Sequence, residues 1–205
     1  MRREIPSPTL RKRTLLAIAF ASIALLVTWG IVQWILPWAD EMLRKAGQKD
    51  DFLKAKIQLA SALGAIVGSL LAPIVGGVFG RRITCFFLCL TSLGACQWLF
   101  NGVHQFDGLF LVVTGLVGCF TASFYGWLPL CFPEIFPTRA RATGQGLAFN
   151  FAWIIAAISV LHMANLMRFF DGSYPKAGAT IVVIYILGMA LIWLASETNG
   201  RPLPD

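Results

Sequence analysis

Six stretches of the chain contain no Asp, Glu, Lys or Arg and are bounded by charged or turn-forming residues. Crossing the hydrocarbon core of a bilayer takes about 20 residues of helix, and most of the stretches reach that length. Their apolar residues run continuously, without the alternation of a barrel strand. Because only helices and closed barrels satisfy the backbone in hydrocarbon, the pattern predicts an all-α membrane protein with six transmembrane helices. The predicted spans are 14–36, 57–79, 83–100, 108–131, 145–167 and 178–196.

A basic leader, residues 1–13, precedes the first span, and a short polar tail, residues 197–205, follows the last one. A charged leader before an apolar run is also typical of a signal peptide. Here the run is about 23 residues long, which exceeds the usual h-region, and five further spans follow it. We therefore expect the first apolar stretch to remain as a transmembrane helix.

The composition agrees with a membrane protein. Apolar residues make up 57% of the 205 residues, charged residues only 13%, and the mean hydropathy is +0.71. So few charges cannot cover the surface of a soluble domain of this size. The same numbers exclude a secreted disulfide scaffold, a disordered tail and a nucleic-acid-binding domain.

The net charge of +7 is distributed unevenly between the loops. If the N-terminus is inside, ten of the seventeen Lys and Arg residues fall on the inner side, and the net charges of the two sides are +6 and +1. The positive-inside rule then predicts that both termini are cytoplasmic. We expect a multi-pass protein of the plasma or inner membrane.

Membrane enzymes find little support in the sequence. The five cysteines all fall within predicted spans, where a free thiol behaves as a small apolar residue. The two histidines, His104 and His162, are too few for paired haem ligands or a histidine-rich metal cluster. No acidic pair of the metal-dependent lipid-transferase type lies in or beside a span, and no Ser–His pair stands out at catalytic spacing. We therefore predict no enzymatic activity, no catalytic residue, no metal and no cofactor.

Polar and aromatic residues recur at helical spacing in four of the spans. Small residues allow close helix packing, which accounts for the second span with Gly64 and Gly68 in GxxxG spacing. Large amphipathic side chains deep in a span need polar partners or water. A polar cavity between the first, second, fourth and fifth helices would supply both, while close packing remains the alternative. The candidate residues of this substrate cavity are Trp29, Gln33, Thr121, Tyr125, Asn150 and Trp153.

One side chain within the spans, that of His162, changes charge near neutral pH. A proton relay and a neutral, hydrogen-bonded histidine near the outer surface are both compatible with its position. The spans contain no Asp or Glu, so the sequence shows no plain proton- or sodium-coupling carboxylate.

Two inner loops carry the most specific pattern in the sequence. The first reads LAPIVGGVFGRRI around Arg81 and Arg82, and the second reads YGWLPLCFPEIFPTRARATGQG. The prolines at 129, 133 and 137 predict that the fourth helix ends near the inner interface. Positive-inside anchoring and contact with lipid headgroups account for the arginines alone. They do not account for Glu134 or for three prolines at four-residue intervals.

At these residues the sequence resembles the major facilitator superfamily, in particular its sugar-porter and organic-acid or cation branches. The string 126–146 is similar to the family's loop between the tenth and eleventh helices. GVFGRR at 77–82 resembles the second half of its loop signature between helices eight and nine, and ETNGR at 197–201 resembles its ending after helix twelve. In this chain Pro73, Gly77, Val78 and Asn199 depart from those motifs.

The resemblance implies that residues 14–196 correspond to the C-terminal six-helix half of a twelve-helix carrier, which is itself a 3+3 inverted repeat. The first, second, fourth and fifth spans would then line the cavity, and the third and sixth would be peripheral. It also implies a charge network at the inner face that holds the outward-open state. The residues of that network would be Arg81, Arg82, Glu134, Arg139, Arg141 and Glu197.

The function expected from these observations is secondary transport of a small polar solute by alternating access. The solute would belong to the sugar, organic-acid or organic-cation class, and the expected partners are the lipid bilayer and either a second six-helix half or a second copy of the chain. The alternative is a non-transporting protein of the same fold, either an inactive fragment or a partner subunit.

Overall fold

The computed structural model describes residues 8–30 and 32–200. Residues 1–7 and 201–205, which belong to the predicted leader and tail, lie outside the described residues. Within the described ranges the protein is helical and contains no strand. The helices are α1 (Pro8–Gly30), α2 (Ile35–Lys45), α3 (Leu53–Phe79), α4 (Arg81–Gly102), α5 (Gly108–Ile135), α6 (Arg141–Phe169), α7 (Tyr174–Ile181) and α8 (Ile184–Leu191).

The described residues form six helical stretches that are long and apolar enough to cross a membrane. The prediction of an all-α membrane protein with six transmembrane helices is thereby confirmed. The first stretch comprises α1, a 3-10 turn and α2, and the last comprises α7, α8 and a final 3-10 turn. The other four stretches correspond to α3, α4, α5 and α6.

The helical structure of the first stretch continues beyond the predicted end at residue 36. Helix α2 is amphipathic, since its Trp38 and Leu43 are buried while Asp40 and Glu41 form i,i+4 ion pairs along the same helix. Trp38 packs against two phenylalanine rings of α4 and α5. The predicted span stopped at residue 36 because charged residues follow it in α2. These charges lie on the exposed face of α2, and the buried face packs against the bundle.

Helix α5 also runs further than the prolines predicted, because it passes through Pro129 and Pro133 and ends at Ile135. Each proline removes only its own N–H donor and crowds one carbonyl four residues earlier. Proline is tolerated in membrane helices where neighbouring groups satisfy the freed carbonyl. The chain leaves the helix at Phe136, the residue before Pro137, where the residue preceding proline disfavours the helical conformation.

The helices pack as two close pairs, α3 with α5 and α1 with α6, and α5 joins them through further contacts with α1. Helix α4 packs against α5 and against α7 and α8. The core is built largely from α5, whose buried residues include Phe110, Phe124, Trp127 and Phe132. Helices α3 and α6 direct many large apolar side chains outward, as contact with lipid requires.

The α3–α5 pair is held by direct contact between the two backbones. A Cβ atom on Gly64 would collide with the Gly115 carbonyl oxygen, and one on Gly68 would collide with the carbonyl of Cys119. On the other side of the seam, Gly118 lies equally close to the carbonyl of Ser61. Close packing, one of the two interpretations of the second span, is therefore the role of this stripe.

We expect Gly64→Ala to lower the free energy of unfolding by about 1–3 kcal/mol, because the added methyl forces the two backbones apart. Gly77→Ala, in the same helix, is the matched control, since a Cβ there meets nothing within 4 Å. The measurement is unfolding in detergent followed by circular dichroism. Equal effects of the two substitutions would contradict the packing role of Gly64.

Candidate functional site

One end of the bundle brings together four segments that are distant in the sequence. These are the start of α1, the turn between α3 and α4, the end of α5 and the segment after α8. Arg13 donates to the Ile135 carbonyl at 3.1 Å, and Arg81 contacts both Glu134 and Glu197. We call this part of the molecule the charged end.

The centre of the charged end is a two-point ion pair. Arg81 donates from Nε to Glu134 Oε2 at 3.0 Å and from a terminal nitrogen to Oε1 at 2.6 Å. The hydroxyl of Thr198 donates to Glu134 Oε2 at 2.6 Å. The Arg81 and Glu134 side chains are only 11% and 16% exposed, so water screens the pair less than a surface ion pair. The pair ties the start of α4 to the end of α5.

Glu197 lies beside this pair and caps the N-terminus of α4. Its carboxylate accepts backbone N–H groups from Arg81 at 2.9 Å, Arg82 at 3.1 Å, and Thr198 and Asn199 at 3.0 Å each. Partial burial would raise the pKa of Glu197, but the N–H groups of Asn199, Arg81, Arg82 and Thr198 stabilise the carboxylate and lower its pKa. The tail is thereby held against the first turn of α4.

The cap explains the conformation of the turn between α3 and α4. Gly80 has a positive φ of 89° and ends α3 directly before Arg81 begins α4. It has no side chain with which to cap α4. Glu197 therefore provides from a distant segment the acceptor that a residue at the N-cap usually provides.

Two of the other arginines donate to backbone carbonyls. Arg82 donates to the Ala195 carbonyl, and Arg141 donates from Nε to the Pro133 carbonyl at 2.9 Å. Arg139 is exposed and makes no side-chain hydrogen bond or ion pair to a described residue. The structure thus brings Arg81, Glu134 and Glu197 together and leaves Arg139 apart.

The resemblance implied that Glu197 belongs to a charge network, whereas among the described residues its carboxylate accepts hydrogen bonds from backbone N–H groups. The motif indicated that Glu197 and the Gly80–Arg81 turn would be close. It did not indicate a helix cap, since capping is normally sought within a few residues of the helix start. One signal in the sequence does point to a distant cap. Helix α4 begins directly after Gly80, which has no side chain to cap it.

The six candidate cavity residues lie on α1, α5, α6 and the 3-10 turn before α2. The Trp29 and Trp153 rings are 5.1 Å apart, and both side chains are exposed. The Tyr125 hydroxyl faces Trp29 and Thr28 from α5. We call Trp29, Trp153 and Tyr125 the aromatic cluster.

The three polar candidates are arranged differently. Asn150 is exposed one turn before Trp153, and its amide nitrogen donates to the Gly146 carbonyl at 2.7 Å. Gln33 is exposed in the 3-10 turn. Thr121 is buried and donates to the Val117 carbonyl within α5 at 2.7 Å. Trp29, Trp153 and Asn150 therefore share an open side of the bundle. Tyr125 is half-buried with its hydroxyl in the interior, and Thr121 lies inside the bundle.

His162 is exposed near the end of α6 opposite the charged end. Its Nδ1 lies 2.9 Å from the Ile158 carbonyl oxygen in the same helix. A hydrogen bond at this position places a proton on Nδ1. The geometry favours the hydrogen-bonded histidine over a proton relay.

Comparison with known proteins finds similarity to parts of transport proteins. No family model matches the sequence. The chain is 28% identical over 143 residues to a protein of Cupriavidus pinatubonensis named "Probable 4-methylmuconolactone transporter", covering 68% of this chain and 32% of that protein. It is 27% identical over 96 residues to a Haemophilus influenzae protein named "Putative metabolite transport protein", covering 46% of this chain and 23% of the relative. The chain thus spans about a third or less of the length of the curated relatives it matches.

These names are those of transport proteins and not of enzymes. The resemblance of the chain to a six-helix half of a major facilitator carrier is confirmed, and so is the prediction that it is not an enzyme. The class defined by the fold and the comparisons is an integral, multi-pass membrane protein similar to transporters.

We expect Glu197→Gln to accelerate hydrogen exchange at the Arg81 and Arg82 amides about tenfold at pH 7. A neutral amide is a weaker acceptor than the carboxylate for these N–H groups. Exchange of the peptide that contains both amides, followed by mass spectrometry, is the measurement. Glu134→Gln leaves the cap intact and serves as the control, and equal acceleration in both variants would contradict the capping role.

The same contact has a defined pH dependence. Because the pKa of Glu197 is lowered, its contribution to stability is complete above the ordinary glutamate pKa of about 4.3 and is lost as pH falls through the lowered value. After correction for intrinsic exchange, protection of the Arg81 amide should be constant from pH 7 to pH 5 and fall below the ordinary pKa. Protection that declined between pH 7 and pH 5 would contradict this assignment.

Proposed function

We propose that this chain forms one six-helix half of a major-facilitator-type carrier that moves a small polar solute by alternating access. The observation that carries the proposal is the Arg81–Glu134 pair with its neighbouring Glu197 cap, which joins two helices and the tail at one end of the bundle. An end held by such contacts can be closed in one state and opened in another. The names of the relatives support a transport role.

The contacts at the charged end suit a reversible tie. Removing one partner of a partly buried ion pair leaves the other charge unpaired, which lowers the free energy of unfolding by about 3–5 kcal/mol. Separating both partners into water restores their hydration, so the whole pair opens at a lower cost. The bound and hydrated arrangements of Arg81 and Glu134 can therefore alternate. In this proposal the charged end faces the cytoplasm and the tie holds the outward-open state, in line with the positive-inside rule.

The aromatic cluster provides the contact surface for the solute. Indole and phenol rings cover the apolar faces of a small ring compound, while Asn150 and Gln33 offer amide groups to hydroxyl or carboxylate oxygens. A sugar and a small organic acid or lactone both present such faces, and the name of the Cupriavidus relative falls within this range. Thr121, buried in α5, contributes by supporting the helix that carries Tyr125.

The exposure of the two tryptophans in the aromatic cluster indicates that a second six-helix half is needed to enclose a solute. Trp29 and Trp153 are 41% and 45% exposed in the described chain, so this half does not enclose a solute by itself. A second six-helix half, from another chain or from a second copy, would close the cavity near the bilayer midplane. The same exposure is what a non-transporting partner subunit would show, and this remains the second candidate function.

Solute flux separates the two candidates. Proteoliposomes that contain the chain alone are tested with a labelled hexose, a labelled dicarboxylate and a labelled muconolactone. Uptake above that of empty vesicles supports a carrier formed by two copies. Absence of uptake by the folded chain excludes that form, and the same assay with a co-expressed N-terminal half of the Cupriavidus relative then tests the two-chain form.

In the transporting form, we expect Trp29→Ala to reduce flux about three- to tenfold, since an aromatic contact contributes about 0.5–1.5 kcal/mol beyond its buried area. Trp98→Ala is the matched control, because Trp98 is 49% exposed on α4, away from the aromatic cluster. Equal loss of flux in the two variants would contradict a solute site at the cluster.

We expect Glu134→Gln to increase the maleimide labelling rate of Cys131 about tenfold. Cys131 is buried one turn before Glu134, and the lost ion-pair contact is of the charge-assisted kind that contributes about 1.5–3 kcal/mol. Glu41→Gln removes a carboxylate that pairs with Lys45 at the opposite end and should leave the labelling rate unchanged. Buried Cys96 is an internal control in both variants. Equal rates at Cys131 in both variants would contradict the tie.

A further inference from the structure

An apolar groove of about 420 Å³ lies at the charged end between α1 and the start of α6. It is separate from the aromatic cluster, with which it shares no lining residue. Its floor is the buried ring of Phe136, and Leu15 and Leu147 form part of its apolar walls. A volume of this size falls within the range of about 300–1,000 Å³ that is typical of small-molecule sites.

The rim of the groove is cationic. Arg11 lines it, Lys12 is the next residue, and Arg139 directly precedes the lining residue Ala140. Arg11, Lys12 and Arg139 are exposed and make no hydrogen bond or ion pair with a described residue. Their positive charges are therefore not neutralised by the described part of the protein.

Within residues 8–30 and 32–200, the carboxylates of the charged end are already engaged. Glu134 is bound by Arg81 and Thr198, and Glu197 accepts backbone N–H groups of α4. The start of α6 adds further positive potential, because the helix dipole is positive at its N-terminus and the N-cap, Ala140, makes no side-chain cap hydrogen bond. The rim thus attracts an anion that does not come from the charged-end network.

The depth of the groove in the bilayer indicates which anion this is. Arg11 and Lys12 lie just before the uncharged stretch that begins at residue 14, so the cationic rim is at the level of the lipid headgroups. Leu15 and Leu147 lie within the apolar stretches and are 66% and 43% exposed. A ligand that contacts both the cationic rim and the apolar walls has a negatively charged headgroup attached to an acyl chain.

We propose that this groove binds one anionic phospholipid, with its acyl chain against Phe136 and its phosphate at Arg11 and Arg139. Basic sites between helices at the cytoplasmic side of a membrane protein recognise such headgroups. The charge of the rim sets the preference for an anionic over a zwitterionic headgroup, and the apolar floor distinguishes a lipid from free phosphate. The inference depends on the membrane placement of the bundle and not on transport activity.

Native mass spectrometry of the full chain, titrated with dioleoyl phosphatidylglycerol or dioleoyl phosphatidylcholine, tests this site. The two lipids share their acyl chains, so a difference in affinity reports the headgroup. Each cation near the surface contributes about fivefold to binding of an anionic lipid. We expect Arg11→Gln combined with Arg139→Gln to weaken phosphatidylglycerol binding about thirtyfold and to leave phosphatidylcholine binding nearly unchanged.

Three further variants keep the test decisive. Lys54→Gln combined with Lys176→Gln removes two exposed cations at the opposite end and should preserve the preference for phosphatidylglycerol. Arg11→Lys should preserve most of the preference, which excludes misfolding as the cause of its loss. Thr143→Trp fills the groove and should weaken the binding of both lipids. Circular dichroism melting curves of all variants confirm that they are folded.

Several outcomes would overturn the proposal. Equal affinity of the wild-type chain for both lipids would exclude the cationic rim as a headgroup site. Equal loss of preference in the control pair would make the effect one of net charge alone. Displacement of the lipid by glycerol 3-phosphate would show a site for free phosphate. A change in the monomer–dimer ratio on Thr143→Trp, with lipid binding unchanged, would show that a second copy of the chain occupies the groove.

Discussion

The direct backbone contact between α3 and α5 sets the geometry on which the charged end depends. Glycines at 64, 68 and 118 let the two helices approach until carbonyl oxygens fill the space that side chains would need. Helix α3 leads into the Gly80 turn that starts α4, and Glu134 lies in the last helical turn of α5. The close packing of α3 against α5 therefore sets the distance between Arg81 and Glu134.

Two different electrostatic contacts meet at that end. The Arg81–Glu134 pair joins two side chains in a largely buried geometry, whereas Glu197 neutralises the N-terminus of a helix through backbone N–H groups. The first contact links α4 to α5, and the second links the tail to α4. The Thr198 hydroxyl, which donates to Glu134, couples the position of the tail to that of α5.

Apart from the charged end, the described residues form two candidate ligand sites with different surroundings. In the aromatic cluster, the indole rings of Trp29 and Trp153 lie open on the bundle beside the half-buried Tyr125, and they suit a small ring compound. The groove beside Arg11 has a cationic rim at headgroup depth and suits a lipid. An uncharged aromatic surface distinguishes the candidate solute site from the candidate lipid site, whose cations pair with no residue in the described part of the chain.

The sequence by itself determined the six membrane-crossing stretches, because continuous apolar runs in hydrocarbon can only be helices. Its loop motifs also brought Arg81, Glu134 and Glu197 to one end. The tertiary structure decided what local patterns cannot express. Pro129 and Pro133 stay within α5, because each proline removes only its own N–H donor from the helix.

Burial and capping also arise from distant segments and are therefore invisible to local patterns. Thr121 follows the helical stripe of Tyr125, yet it turns inward to its own backbone, while Trp29 and Trp153 remain open. Glu197 caps a helix that begins more than a hundred residues earlier in the chain. Spacing along a helix determines which residues share a face, but only the packing of the neighbouring helices decides which face is covered and which group completes a helix end.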